Sequence, residues 1–164
     1  MNVLDYAIRI EREGETLFER MARSTDDPGK KEICELLLSA EQEHIGRLLE
    51  LKRHVDPSDA RSSMVERAWR VSGGFSRLLD KSDFVHGLPD DWDGFLHIVK
   101  AEEENIEMLE GMAYAEPNRN AGMLLATIAE EEREHLNRME NIYDFVESPR
   151  TYLEWGEFSN LRRL

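Results

Sequence analysis

Two four-residue strings, Glu41-Gln42-Glu43-His44 and Glu132-Arg133-Glu134-His135, each place a glutamate three residues before a histidine. On a helix that spacing puts both side chains on one face, where a carboxylate and an imidazole can grip a common ion. Two further glutamates, Glu11 and Glu102, stand 30 residues upstream of Glu41 and Glu132 respectively. Four carboxylates and two imidazoles from four helices compose a two-metal carboxylate site, with one glutamate from each of two helices and Glu-x-x-His from the other two. Bridging carboxylates let two ions sit close while their charge is neutralised, and the mixed oxygen and nitrogen donors suit iron or manganese. The candidate metal ligands are therefore Glu11, Glu41, His44, Glu102, Glu132 and His135, and any catalytic role they have runs through the metals they hold.

One Glu-x-x-His is weak evidence, because in so acidic a chain about one histidine in six has that partner by composition alone. His54, His86 and His97 lack it and read as surface or loop residues. The six candidates gain weight from the apolar stripes that contain them. Positions 125, 128, 132, 135, 139, 142 and 146 alternate steps of three and four, and all are apolar except Glu132 and His135. Leu37, Glu41, His44, Leu48 and Leu51 repeat the pattern. Glu11 falls between Ala7 and Phe18, and Glu102 between Ile98 and Leu109. No lysine or arginine occupies these stripes, so bound cations must offset four carboxylates facing a core. Glu11 and Glu41 flank the Asp26-Asp27-Pro28-Gly29 turn, about 22 Å out and 22 Å back at the helical rise, and so reach one level. Glu102 and Glu132 flank Pro117 in the same way.

The halves also match each other. A shift of 91 places Glu11, Glu13, Glu19, Met21, Ala22, Glu41, Glu43, His44 and Arg47 on identical residues, Glu102 through Arg138. A repeated helical hairpin predicts a pseudo-symmetric site between the copies.

The elements that position these residues are helical almost throughout, predicting an all-α chain. Four long helices are expected at about 2–26, 28–54, 90–115 and 118–147. Asp27 serves as an N-cap, Pro28 stands in a first turn, and Pro149 is expected as a stop. Residues 55–90 are too long for a turn and too apolar for a flexible linker, so they read as a crossover carrying short helices near Met64–Val71 and Phe75–Leu79. This is a four-helix bundle with one long crossover over residues 1–147. Tyr152, Leu153, Trp155 and Phe158 mark 148–164 as a short C-terminal docking tail. Met21 and Met112 are expected as core filler, Trp69, Trp92 and Trp155 as packing, and Cys34 as an inert buried thiol.

The chain of 164 residues is long enough for one domain with a full core. With 35 acidic against 21 basic residues its net charge is −14, which argues against nucleic-acid and membrane-surface roles and would concentrate cations. A lone cysteine supports no internal disulfide, Cys₄ zinc site or iron–sulfur cluster. Asp5 stands where a signal peptide needs basic and then apolar residues, and no apolar run reaches 18 residues. The expectation is an acidic, reduced, cytoplasmic protein.

Ala7 through Gly14, read with the two Glu-x-x-His strings, resembles the ferritin-like superfamily, and more closely its rubrerythrin-type diiron-carboxylate branch. The resemblance covers the four long helices. It implies a ferritin-like fold, with Glu11 and Glu102 as the terminal-helix carboxylates and Glu41/His44 and Glu132/His135 as the paired ligands. The implied cofactor is two iron ions per site, with manganese or a mixed pair as alternatives. The implied activity is a non-haem diiron oxidoreductase reacting with peroxide or dioxygen, peroxide reduction foremost. The alternatives are a ferroxidase serving iron storage or handling, and a structural bundle with a vestigial site. Three departures stand out. No cysteines exist for a rubredoxin-like domain, so electrons come from a separate donor protein. Phe18 and Leu109 hold the places of the family's tyrosine, and Asn105 replaces an extra glutamate that would serve redox-dependent ligand exchange. The other implied partner is a second copy of the chain, in a homodimer or larger homo-oligomer.

Overall fold

The computed structural model describes residues 1–71, 73–81 and 93–160, with side chains described for all of these except 93 and 145–160. Six helices lie among them: α1 (Val3–Ser24), α2 (Pro28–His54), α3 (Ser63–Ala68), α4 (Gly74–Leu79), α5 (Asp93–Ala115) and α6 (Arg119–Asn160). The Asn2 side chain caps α1 by accepting from Leu4 N at 2.8 Å. Asp27 caps α2 by accepting from Gly29 N and Lys30 N, with Pro28 in the first turn where its missing N–H costs nothing. Lys52, Arg53 and His54 then place cationic groups at the negative end of α2.

Two antiparallel hairpins, α1–α2 and α5–α6, pack together through α2 and α6. Their apolar faces meet in one core that includes Leu17, Leu37, Leu48, Ile98, Leu109, Leu125, Ile128 and Met139. The architecture is the all-α four-helix bundle with one crossover that the periodicity predicts. Met21 and Met112 are buried core side chains, and Cys34 is fully buried with its thiol pushed up to about 12 by that burial. Trp69 packs against the core from the crossover. His54 and His97 are exposed; His86 and Trp92 lie outside the described residues.

The crossover is strapped to the end of the bundle where α1 begins and α5 turns into α6, and to the side of α1. Val3 N donates to Ala60 O at 2.8 Å and Ser62 N to Met1 O at 2.9 Å. Ser62 also caps α3 through Val65 N and donates to the Glu116 carboxylate at the α5–α6 turn. Arg9 donates to Trp69 O at 3.0 Å, and its guanidinium lies 4.2 Å from the Trp69 ring. α4 packs on both α1 and α5, filling the seam between them.

Gly74 makes that close approach possible. A Cβ there would stand 2.7 Å from Ala101 O, one residue before Glu102. Gly74→Ala should therefore cost about 1–3 kcal/mol by forcing α4 off α5. Gly46 is exposed in α2 with nothing within 4 Å of its Cβ position. Gly46→Ala should instead gain about 0.5–1 kcal/mol from helix propensity. Urea unfolding midpoints of the two variants check the opposite signs.

One boundary differs from the sequence expectation. Pro149 does not stop the last helix; α6 continues to Asn160 over 42 residues. A proline removes its own N–H and crowds the carbonyl four residues back, which bends a helix without ending it when helix-competent residues follow. Residues 148–160 are thus helix and not a separate segment, while the side chains expected to dock, Tyr152, Leu153, Trp155 and Phe158, lie outside the described ones. No described helix is long and apolar enough to cross a membrane.

Candidate metal centre

The stripes bring all six predicted residues inside the bundle: Glu11, Glu41, His44, Glu102, Glu132 and His135 are each at most 4 % exposed. Each histidine reaches across to the other hairpin. His44 Nε2 on α2 lies 3.1 Å from Glu132 Oε1 on α6. His135 Nε2 on α6 lies 3.4 Å from Glu41 Oε1 on α2. Glu11 Oε2 stands between them, 3.9 Å from His44 Nε2 and 3.7 Å from His135 Nε2. The two rings stack with centroids 4.7 Å apart.

Two three-residue groups could each hold an ion: Glu11, Glu41 and His135, and Glu11, His44 and Glu132, with the ligand atoms of each group within 4.8 Å of one another. Glu11 belongs to both. Glu102 belongs to neither, although it is buried close enough for the charges of Glu41 and Glu132 to act on it. The sequence repeat makes Glu11 and Glu102 equivalent; the packing does not.

Electrostatically the site is unfinished without cations. No lysine or arginine is buried among the described residues. Eight ligand-type atoms have no hydrogen-bond partner: both oxygens of Glu11 and of Glu41, one each of Glu102 and Glu132, and both ring nitrogens of His135. A buried unpaired polar atom costs about 1–3 kcal/mol, and an unpaired charge more. These are hard and borderline donors converging from four helices, so the residues present fit a pair of divalent ions of the iron or manganese type. Burial pushes the Glu11 carboxyl well above the ordinary carboxylate range, and the charges of Glu132, Glu41 and Glu102 push it the same way. Burial raises Glu102 as well, helped by Glu41 and Glu132 and opposed by the Asn105 amide.

These shifts have a definite sign in the metal-free protein. A carboxyl raised by folding contributes stability that is present below its unfolded pKa and is lost as pH rises through the folded value. Wild type and Glu11→Gln should therefore unfold at similar urea concentrations under acid conditions. As pH climbs out of the ordinary carboxylate range, the glutamine variant should become the more stable of the two. Metal should invert the comparison, because ions bind the deprotonated ligands and release protons. Urea midpoints against pH, with and without metal, check both signs.

Three features around the ligands went unread in the sequence. Arg47 donates to His44 Nδ1 at 3.2 Å. A guanidinium can only donate, so Nδ1 accepts and the ring hydrogen sits on Nε2, facing Glu132. The shared Glu-x-x-His-x-x-Arg of both halves was the available signal, yet the copies differ in space: Arg138 turns to Glu43 at 3.4 Å, leaving His135 Nδ1 unpartnered. Gly14 is the second feature. A Cβ there would meet Glu41 Oε1 and Phe75 Cε2, both at 3.0 Å. The third is Phe75 itself, fully buried on α4, its ring 6.2 Å from that of Phe18 and roughly edge-on. No local pattern could show that a crossover residue would wall this site.

Neither the curated proteins nor the solved structures contain a match to the chain. The family model described as Rubrerythrin matches residues 2–143, which takes in α1, α2, α5, the first part of α6 and every candidate ligand.

Proposed function

The chain belongs to the rubrerythrin family, and on that premise we propose that it is a non-haem diiron oxidoreductase that reduces peroxide, with dioxygen as the alternative oxidant. Family membership carries iron binding and a diiron-carboxylate character in general terms; the reaction is the proposal. The observation that carries it is the set of eight unpartnered ligand atoms, buried together on four helices with no cationic side chain among them. Two ferrous ions held there would supply the two electrons that, with two protons, reduce one peroxide to water.

The chain's own residues do the rest. Glu11, Glu41, His44, Glu132 and His135 would hold the metals, and with Glu102 buried beside them the four carboxylates match the charge of two divalent ions. In the metal-free protein Arg47 donates to His44 Nδ1; a ring that ligates through Nε2 carries its hydrogen on Nδ1, so this bond would give way as metal binds. Phe18, Phe75 and Leu109 are each at most 1 % exposed and keep bulk water from this part of the interior. Phe18 and Leu109 carry no hydroxyl, so neither position donates a proton or an electron. One buried cysteine cannot hold a four-cysteine iron centre, and the electron donor we propose is a separate protein. The working unit we propose is a homodimer or a larger homo-oligomer.

Anaerobic titration with Fe(II), followed by peroxide or dioxygen, tests this reading. The expected result is saturation near two Fe(II) per chain and growth of near-ultraviolet ferric absorption on adding oxidant. Absence of Fe(II) uptake would overturn it. Iron uptake far beyond that stoichiometry, in a hollow assembly on size exclusion, would replace it with iron storage.

A further inference from the structure

Outside the six ligands, only three described residues carry buried side-chain atoms without a hydrogen-bond partner: Arg9 Nε, Glu13 Oε2 and Asn105 Nδ2. They are not scattered. Glu13 on α1 and Asn105 on α5 both lie beside Gly73 at the start of α4, and Arg9 stands one turn before Glu13 and pairs with it. Glu13 Oε2 lies 3.4 Å, and Asn105 Oδ1 3.8 Å, from the point where a side chain on Gly73 would begin, and beyond its chain neighbours no other described atom lies within 4 Å of it. Gly73 is the N-cap of α4, in extended backbone that any residue adopts. Its missing side chain therefore leaves room between a carboxylate and an amide. Asn105 is 2 % exposed and sits beside Glu102, whose Oε1 is also unpartnered. At the other end Arg9 and Glu13 pair at 3.7 Å with about a quarter of each side chain in contact with solvent.

The unpartnered atoms are two donors, Arg9 Nε and Asn105 Nδ2, and two acceptors, Glu13 Oε2 and Glu102 Oε1. Buried polar atoms of both kinds, unpaired and bordering a common space, are the setting in which ordered water completes a protein's hydrogen bonds. The mixture of donors and acceptors favours a neutral molecule that both donates and accepts over a cation or an anion. We infer that a file of water runs from the Arg9–Glu13 pair past Gly73 to Asn105 and Glu102, and that water-sized hydroxylic molecules, peroxide included, reach the metal centre along it. The water file stands on the unpartnered atoms alone; its use by an oxidant rests on the function proposed above.

Two measurements test it. A high-resolution crystal structure should show ordered water bonded to Glu13 Oε2 and to Asn105; direct protein–protein pairing of these atoms with no water between them would overturn the inference. In the second, Gly73→Ala and Gly73→Leu progressively fill the space, the alanine at ordinary contact distances. Both should take up Fe(II) with wild-type stoichiometry. The leucine variant should react with peroxide at least about tenfold more slowly than wild type, with alanine between. Gly46→Leu, in open solvent on α2, should react at the wild-type rate. A leucine variant that loads iron and reacts at full speed would sink the oxidant route while leaving the diiron reading intact. Failure of every form to take up iron would sink the diiron reading, and the crystallographic waters would then decide the file by themselves.

Discussion

Glu41→Leu combined with Glu132→Leu is expected to abolish metal binding and at the same time to stabilise the metal-free protein. The two halves of that result have one cause. In the metal-free state both carboxylates sit in an apolar interior, and both oxygens of Glu41 and one of Glu132 lack any hydrogen bond. Leucine is close in size and brings no charge. Exchanging buried ionic groups for well-packed apolar ones commonly stabilises by about 1–4 kcal/mol, here a rise of several degrees in Tm at about 2–4 °C per kcal/mol. The gain falls toward the lower end of that range because His44 Nε2 loses its 3.1 Å partner Glu132. Metal binding fails because Glu41 and Glu132 each belong to one of the two candidate ion sites. Thermal melts of the metal-free forms and metal titrations of both proteins check the pair of signs. A double variant that melts lower than metal-free wild type would show that these carboxylates are satisfied in a way the structure does not contain.

The second large effect separates Glu11 from its repeat equivalent, Glu102. Saturating metal should stabilise wild type by about 4 kcal/mol at a thousandfold excess over Kd, or about 10 °C in Tm. Glu11→Gln should lose most of this shift and weaken binding at least about a hundredfold, because Glu11 is the one residue common to both groups. Glu102→Gln should retain most of the shift, since neither group includes it. Glutamine keeps the shape and removes the charge, so both variants should fold. Metal titrations monitored by thermal shift give the answer directly. Equal losses in the two variants would mean that the pseudo-symmetry of the sequence holds in the metal-bound protein after all.

Much of this site is legible in the sequence because its constraints are local. Helical spacing alone puts Glu41 with His44 and Glu132 with His135, whatever surrounds them. Capping chemistry at Asp27 and Pro28 fixes where α2 begins, and equal arm lengths on either side of a turn fix the level at which Glu11 meets Glu41. Pro149 misled because its effect depends on whether the flanking residues sustain a helix, and α6 runs through it.

The chain by itself determined four amphipathic helices, their pairing into hairpins, and six polar side chains committed to one interior level, because periodicity and turn position are properties of adjacent residues. Only the tertiary structure decided that Glu11 belongs to both candidate ion groups and Glu102 to neither, that Arg47 donates to one histidine and no arginine to the other, and that Phe75 of the crossover packs with Glu41 against Gly14 while Gly73 lies beside Glu13 and Asn105. Those are contacts between segments far apart in sequence, and they depend on how α4 wedges between α1 and α5. A repeat can make two helices equal in sequence, but a crossover packed into one seam of the bundle makes them unequal in space.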